Sequence, residues 1–259
     1  MRNLMVLFFA LVYATSVIGQ STPTPTPTPS KANVYTASVG ETIFSWGNVD
    51  AGDQDVQNVL RFSPVFNFGQ QVHIDFSNNF GIYTGLSLRN VGLITHTNMS
   101  GYEVKIKERS YGLGLPLALK LGDFDKNFNL AVGGELEVMF AWKRKIFVGD
   151  DVKTKDYDWF SDEVNIFNPS LFAEIKFYKG QYIRFKYYLD DFLQYQQGGL
   201  IVPIPGVTSP DNILPDYAKA SQLMYISIGA VVSDKKMEFT PDNSKVFKNN
   251  DGYFKTASR

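Results

Sequence analysis

The chain has 259 residues, with 25 Lys and Arg against 26 Asp and Glu, and no cysteine. A net charge of −1 gives no electrostatic footprint for nucleic acid, and the absence of cysteine excludes disulfides, thiol chemistry and a lipoprotein anchor. Hydrophobic residues make up 44% and aromatic residues 15% of the chain, enough for one large β-domain.

Arg2 followed by the apolar stretch Leu4 to Tyr13, with Val17-Ile18-Gly19 before Gln20, reads as an export signal over residues 1–19. The stretch is shorter than the roughly 20 apolar residues of a membrane-spanning helix. Residues 20–32 form a Thr/Pro-rich spacer, held extended because proline fixes φ and removes a hydrogen-bond donor. No later segment is apolar for long enough to cross a bilayer as a helix, so any crossing is expected to use a closed sheet.

Eight strand-like segments follow, at about 34–48, 59–76, 80–95, 102–121, 128–146, 168–178, 182–194 and 221–233. Their signature is a two-residue rhythm. Leu113, Leu115, Leu117, Leu119 and Leu121 alternate with small residues and Lys120, and Leu130, Val132, Leu136 and Val138 alternate with Ala131, Glu135 and Glu137. Side chains alternate across a strand, so each segment has one apolar and one small or charged face. Connections after the second, fourth and sixth segments are short, and three of the other four are long. Short inner turns and long outer loops are the pattern of outer-membrane barrels. The expected fold is all-β, an eight-stranded antiparallel up-and-down transmembrane β-barrel over residues 33–234, with a polar periplasmic tail at 235–259.

In that fold the apolar faces meet lipid and the opposite faces form a lumen. A charge network of Arg89, Glu135, Glu137, Glu174, Lys176, Arg184 and Lys186 is expected to fill it, with Arg61, Asp75, Lys120 and Asp190 on the same side. The phase of the fifth segment places Arg144 on the apolar face near the outer rim. An eight-stranded barrel is just wide enough for side chains to fill, which argues against a water-filled channel.

The stretches LRFSPVFNFGQQVHIDFSNNFGIYTGLSLRNVGLI, RSYGLGLPLALKLG and NPSLFAEIKFYKGQYIRFKYYLDDFL resemble the small outer-membrane β-barrel family of Gram-negative bacteria, the porT-like and OmpX-like group. The resemblance covers about Asn33 to Ser233. It implies a fold and a location, and no catalytic motif. Such barrels often end on a terminal aromatic strand, whereas here a polar tail follows Ser233.

No catalytic, cofactor-binding or metal-binding residue stands out. His73 falls on the lumen face beside Asp75. His96 sits at the outer rim near Thr97 and Ser100, where a base and a nucleophile would need hydrogen-bond reach. The third outer loop is acidic and carries Trp159 and Phe160 as a patch for rim packing or ligand contact. The fourth, with Leu200, Ile201 and Ile204, is apolar enough either to cap the rim or to meet a partner. Three functions follow from these residues. The first is a non-enzymatic outer-membrane protein, with both mature termini periplasmic, that contacts outer-membrane lipids and presents extracellular loops, or its periplasmic tail, to a protein partner. The second is a lipid- or peptide-modifying enzyme with a rim site near His96. The third is a small passive pore. No cofactor and no nucleic-acid partner is expected.

Overall fold

The computed structural model describes residues 32–149 and 151–237. The export signal, nearly all of the spacer and the tail beyond residue 237 lie outside them. Thirteen strands follow in order: β1 (Asn33–Asp50), β2 (Gln57–Val59), β3 (Arg61–Ser63), β4 (Phe68–Asp75), β5 (Phe80–Met99), β6 (Tyr102–Asp123), β7 (Phe128–Val148), β8 (Asp151–Trp159), β9 (Phe167–Phe177), β10 (Gln181–Asp191), β11 (Leu200–Ile201), β12 (Ile213–Leu214) and β13 (Ala220–Met237). Eleven belong to one sheet, and β11 pairs only with β12.

All of the pairings are antiparallel, along the order β13-β10-β9-β7-β6-β5-β4-β1-β3, and β13 also pairs with β1. Eight strands therefore hydrogen-bond in cyclic order, but this ring is not evenly arranged round an axis and does not form a closed barrel. The expected eight-stranded transmembrane β-barrel is corrected here, and with it the barrel lumen and the crossing built on it. Unequal strands are the physical reason. β5, β6 and β7 run for 20, 22 and 21 residues, whereas β4 has 8 and β9 and β10 have 11 each. The long strands continue past their short neighbours as a ribbon, which β8 extends by pairing with β7. The segment expected at 59–76 is likewise broken, into β3 and β4 with its first residue, Val59, ending β2. Phe66 at the break has φ +63, in the left-handed region that bulky residues rarely adopt.

The sheet has two halves of opposite polarity. Toward the β6–β7 turn the outer face is apolar: Leu117 is 63% exposed, and Leu113, Leu115, Leu119, Leu121, Leu130, Val132, Leu171 and Ile228 are exposed with it. The inner face there carries Glu135, Glu137, Arg184 and Lys186, all buried. Toward the other end the order reverses. Val91, Leu93, Val104, Ile106, Trp142, Ile146 and Val148 form an apolar core with Val202, Ile204, Leu214 and Tyr217 from the loop after β10.

One residue makes this reversal possible in β7. The register with β6 runs Tyr111↔Ala141 and then Gly112↔Met139, leaving Phe140 unpaired. Such a bulge shifts the side-chain phase by one. Beyond it Trp142, Arg144 and Ile146 point inward and Lys143 and Lys145 outward, so Arg144 is buried rather than on the apolar face. Deleting Phe140 should remove the bulge while keeping both parts of β7 in their present register with β6, so Trp142 and Ile146 stay inward and the loss is the stacking of the Phe140 ring on Tyr111 and Trp159, about 1 kcal/mol per ring pair in urea unfolding. Phe140→Leu, which keeps the bulge and loses the same ring pairs, should cost a similar amount.

Candidate functional site

The inner face of the half toward the β6–β7 turn, the lower half, carries a continuous ionic network. Arg89 on β5 donates from Nε to Glu41 Oε1 at 2.6 Å and from Nη1 to Ser87 Oγ at 2.6 Å and Glu137 Oε1 at 3.1 Å, and it also pairs with Glu135. Lys186 on β10 reaches Glu135 Oε2 at 2.9 Å and Glu137 Oε1 at 2.5 Å, and Tyr188 donates to Glu137 Oε2 at 2.6 Å. Arg184 binds Glu174 Oε2 at 2.6 Å through Nη2 and lies 3.5 Å from Glu41. Ser227 and Tyr182 complete Glu41 at 2.5 and 3.2 Å.

The structure thus joins six of the seven network residues expected from the sequence. Lys176 is buried near Glu174 but forms no ion pair with it, and it lies also beside Lys120 and Asp75, which pair at 2.5 Å. Glu41 was missed, and it is the acceptor that links Arg89 to Arg184. Its signal was present: Val39, Glu41, Ile43 and Ser45 occupy one face of β1, and all are buried. Room for the network comes from small residues on β6. A Cβ at Gly114 would fall 2.1 Å from Glu135 Oε1 and 2.5 Å from Ser87 Oγ.

At the loop end Arg144 bridges Glu108 and Glu163, the latter at 2.7 Å. Beside this bridge is a cleft of about 310 Å³, lined also by Leu200, Ile201 and Tyr217. Tyr217 exchanges a hydrogen bond with Thr95 Oγ1 at 3.2 Å, and burial pushes its phenol well above the ordinary tyrosine value. The loop-patch residues divide. Ile204 is buried in the core, Leu200 packs against its edge and Ile201 is exposed. Trp159 and Phe160 are exposed, and Trp159 stacks on Phe140 with centroids 5.8 Å apart.

His96 pairs through Nδ1 with Glu103 Oε1 at 3.1 Å, in a cleft of about 380 Å³. The neighbouring hydroxyls are engaged elsewhere: Thr97 Oγ1 donates to the Asp55 carbonyl at 2.8 Å, and Ser100 Oγ to the Asp211 carbonyl at 3.2 Å. His73 stacks on Tyr35 with centroids 4.8 Å apart and contacts Gln71 Oε1 at 3.0 Å. Among the described residues no group of three or more His, Cys, Asp or Glu side chains has the placement to hold a metal ion.

No protein-family model matches the sequence, and no curated relative matches it. Among solved structures the chain is similar to Ail, the attachment invasion locus protein of Yersinia pestis, at 10% identity and a TM-score of 0.35, over 76% of this chain and 99% of that one. It is similar also to Ail in complex with the heparin analogue sucrose octasulfate, at 11% identity and a TM-score of 0.32, over 77% and 99%. The likeness is distant and partial, and the narrower porT-like and OmpX-like resemblance has no matching family model behind it.

Arg89→Met leaves Glu41, Glu135 and Glu137 short of a buried counter-ion and should destabilise the fold by about 3–5 kcal/mol. Adding Glu41→Gln should recover part of that loss, and a double-mutant cycle on chemical-denaturation midpoints measures the coupling.

Proposed function

We propose that the protein is a non-enzymatic, lipid-contacting protein of the outer cell envelope that presents its loop end to a partner. One observation carries this reading: the polarity of the lower half is inverted. Five alternate leucines of β6 are exposed while the ionic groups behind them are buried. Monomers in water rarely expose contiguous apolar patches larger than a few hundred Å². Phe185, Ile183, Leu189, Ile226 and Val232 on β10 and β13 extend the same surface, and lipid is the partner that matches an apolar face of this kind. The opposite end has a conventional apolar core and a charged exterior, so it faces water. There the exposed Ile201 and the cleft beside Arg144 offer the contact surface.

A second reading, an enzyme using His96, draws on the His96–Glu103 pair, in which a carboxylate orients an imidazole. The hydroxyls of Thr97 and Ser100 already donate to main-chain carbonyls, so the pair has no evident nucleophile to activate. His96→Ala should leave the composition of envelope lipids unchanged by mass spectrometry, and a lipid species lost with that variant would favour the enzyme.

The purified full chain should require detergent to stay monodisperse and should partition onto phosphatidylcholine vesicles. Leu117→Arg removes about 2 kcal/mol of apolar transfer and should lower the partition coefficient at least tenfold in a flotation assay. The Asp53→Asn variant, altered at an exposed loop position away from the apolar face, should retain native partition. A monodisperse chain in plain buffer with no vesicle binding would refute the lipid-facing assignment.

A further inference from the structure

The outer face carries a second pattern directly beyond the apolar belt. First comes a row of rings. Phe66 and Tyr111 meet edge to face at 6.0 Å, Tyr111 and Phe140 stack at 6.4 Å, Phe140 and Trp159 stack at 5.8 Å, and Tyr157 meets Trp159 edge-on. Next comes a lattice of cations. Lys107 on β6 is registered opposite Lys145 on β7, which is registered opposite Lys155 on β8. One row closer to the rings, Arg109 is registered opposite Lys143. Adjacent strands lie about 4.8 Å apart, and like charges directly opposite each other destabilise a sheet.

Among the described residues, none of Lys107, Arg109, Lys143 and Lys145 forms an ion pair with a carboxylate. Lys107 and Arg109 lie instead over the rings of Phe147 and Tyr111. A cleft of about 190 Å³ opens among these four side chains, Arg61, Phe62 and Glu108, whose carboxylate is engaged by Arg144. The Lys145 ammonium is pushed below its ordinary value, by desolvation first and then by the charges of Lys143, Arg109, Lys155 and Lys107. Among the described residues this is a concentrated positive surface on adjacent strands whose four cations have no carboxylate paired to them.

We propose that this lattice binds the phosphate groups of anionic, phosphomonoester-bearing lipid headgroups, whose charge no choline or other cation cancels, with Lys107, Arg109, Lys143 and Lys145 as the binding residues. The inference rests on the lipid-facing reading of the apolar belt and adds the headgroup class. Three observations select a headgroup over other anions. The cations border the apolar belt, aromatic rings of the type enriched at membrane–water interfaces lie between the two, and the facing lysine rows match anions spaced across neighbouring strands. Phosphate oxygens would take the ammonium and guanidinium donors and relieve the repulsion between the rows.

The test uses the full chain in flotation with vesicles of phosphatidylcholine alone and of phosphatidylcholine with phosphatidic acid. The native protein should partition at least about 25-fold more strongly onto the second, since each Lys or Arg near an anionic surface contributes about a factor of five and two engaged cations already multiply to that. The double variant Lys107→Gln/Lys145→Gln should lose most of that preference and keep the native affinity for phosphatidylcholine. Its thermal midpoint in low-salt detergent should rise, since two facing like charges are gone, and a fall would show the lysines to be structural and overturn the proposal. Equal preference in variant and native protein would overturn it while leaving the lipid-facing reading intact. No partition of the native protein onto either vesicle would refute that reading and remove the headgroup with it. Abolition of the preference by an equal phosphate concentration of soluble pyrophosphate would make this a free-anion site, and stronger retention by heparin than by the acidic vesicles would assign a sulfated polysaccharide. Either result overturns the headgroup assignment.

Discussion

Glu41, Glu135, Glu137 and Glu174 are buried in a space that holds Arg89, Arg184 and Lys186, and the fold depends on keeping those charges paired. Moving an isolated ion out of water costs several kcal/mol even after relaxation, so each carboxylate needs cations and hydroxyls in fixed places. Ser87, Tyr188 and Ser227 supply those hydroxyls, and the network draws on β1, β5, β7, β9, β10 and β13. Strand register is thereby fixed from inside. A slip of one residue would carry Glu135 and Glu137 to the apolar side, where no counter-ion waits. The small residues of β6 belong to the same constraint, because a larger side chain at Gly114 would occupy the place of the Glu135 carboxylate.

With charge committed to the interior of one half, the apolar side chains of that half have only the exterior left. The other half does the reverse, burying Trp142, Ile106 and Leu93 under the loop after β10. β6 changes polarity by composition alone: its odd positions pass from leucine to Tyr111, Arg109 and Lys107 without a change of phase. β7 changes polarity by geometry, through Phe140. Two devices in adjacent strands place the transition at one level, and the aromatic row marks it.

The parts of this arrangement that depend on strict alternation were legible in the sequence. Leu113 to Leu121 and the charges opposite them fall on the expected faces, because a period of two reads directly as sidedness. Four things were not legible. The bulge at Phe140 leaves no composition signal, so Arg144 was given the wrong face. The break at Phe66 sits in a segment whose apolar rhythm continues across it. Closure into a regular barrel was inferred from strand count and loop lengths, yet the strands differ too much in length for an even ring, and hairpin lengths alone do not reveal how far a ribbon runs past its neighbours. The acidic stretch expected as a loop contributes β8, since its Thr154, Tyr157 and Trp159 suit a strand better than its aspartates suggest.

The pairing of β1 with β13 joins the two ends of the described chain. The two strands are registered along nearly their whole length, from Val34↔Met237 to Asp50↔Ala220, and Glu41 reaches Ser227 across 186 positions of sequence. Contacts so distant along the chain form slowly, since the closure entropy is spent before the contact rewards it. Until β13 arrives, Glu41 lacks its serine donor and β1 presents an unpaired edge. β13 therefore supplies both the hydrogen-bonding partner of the β1 edge and the hydroxyl that completes Glu41.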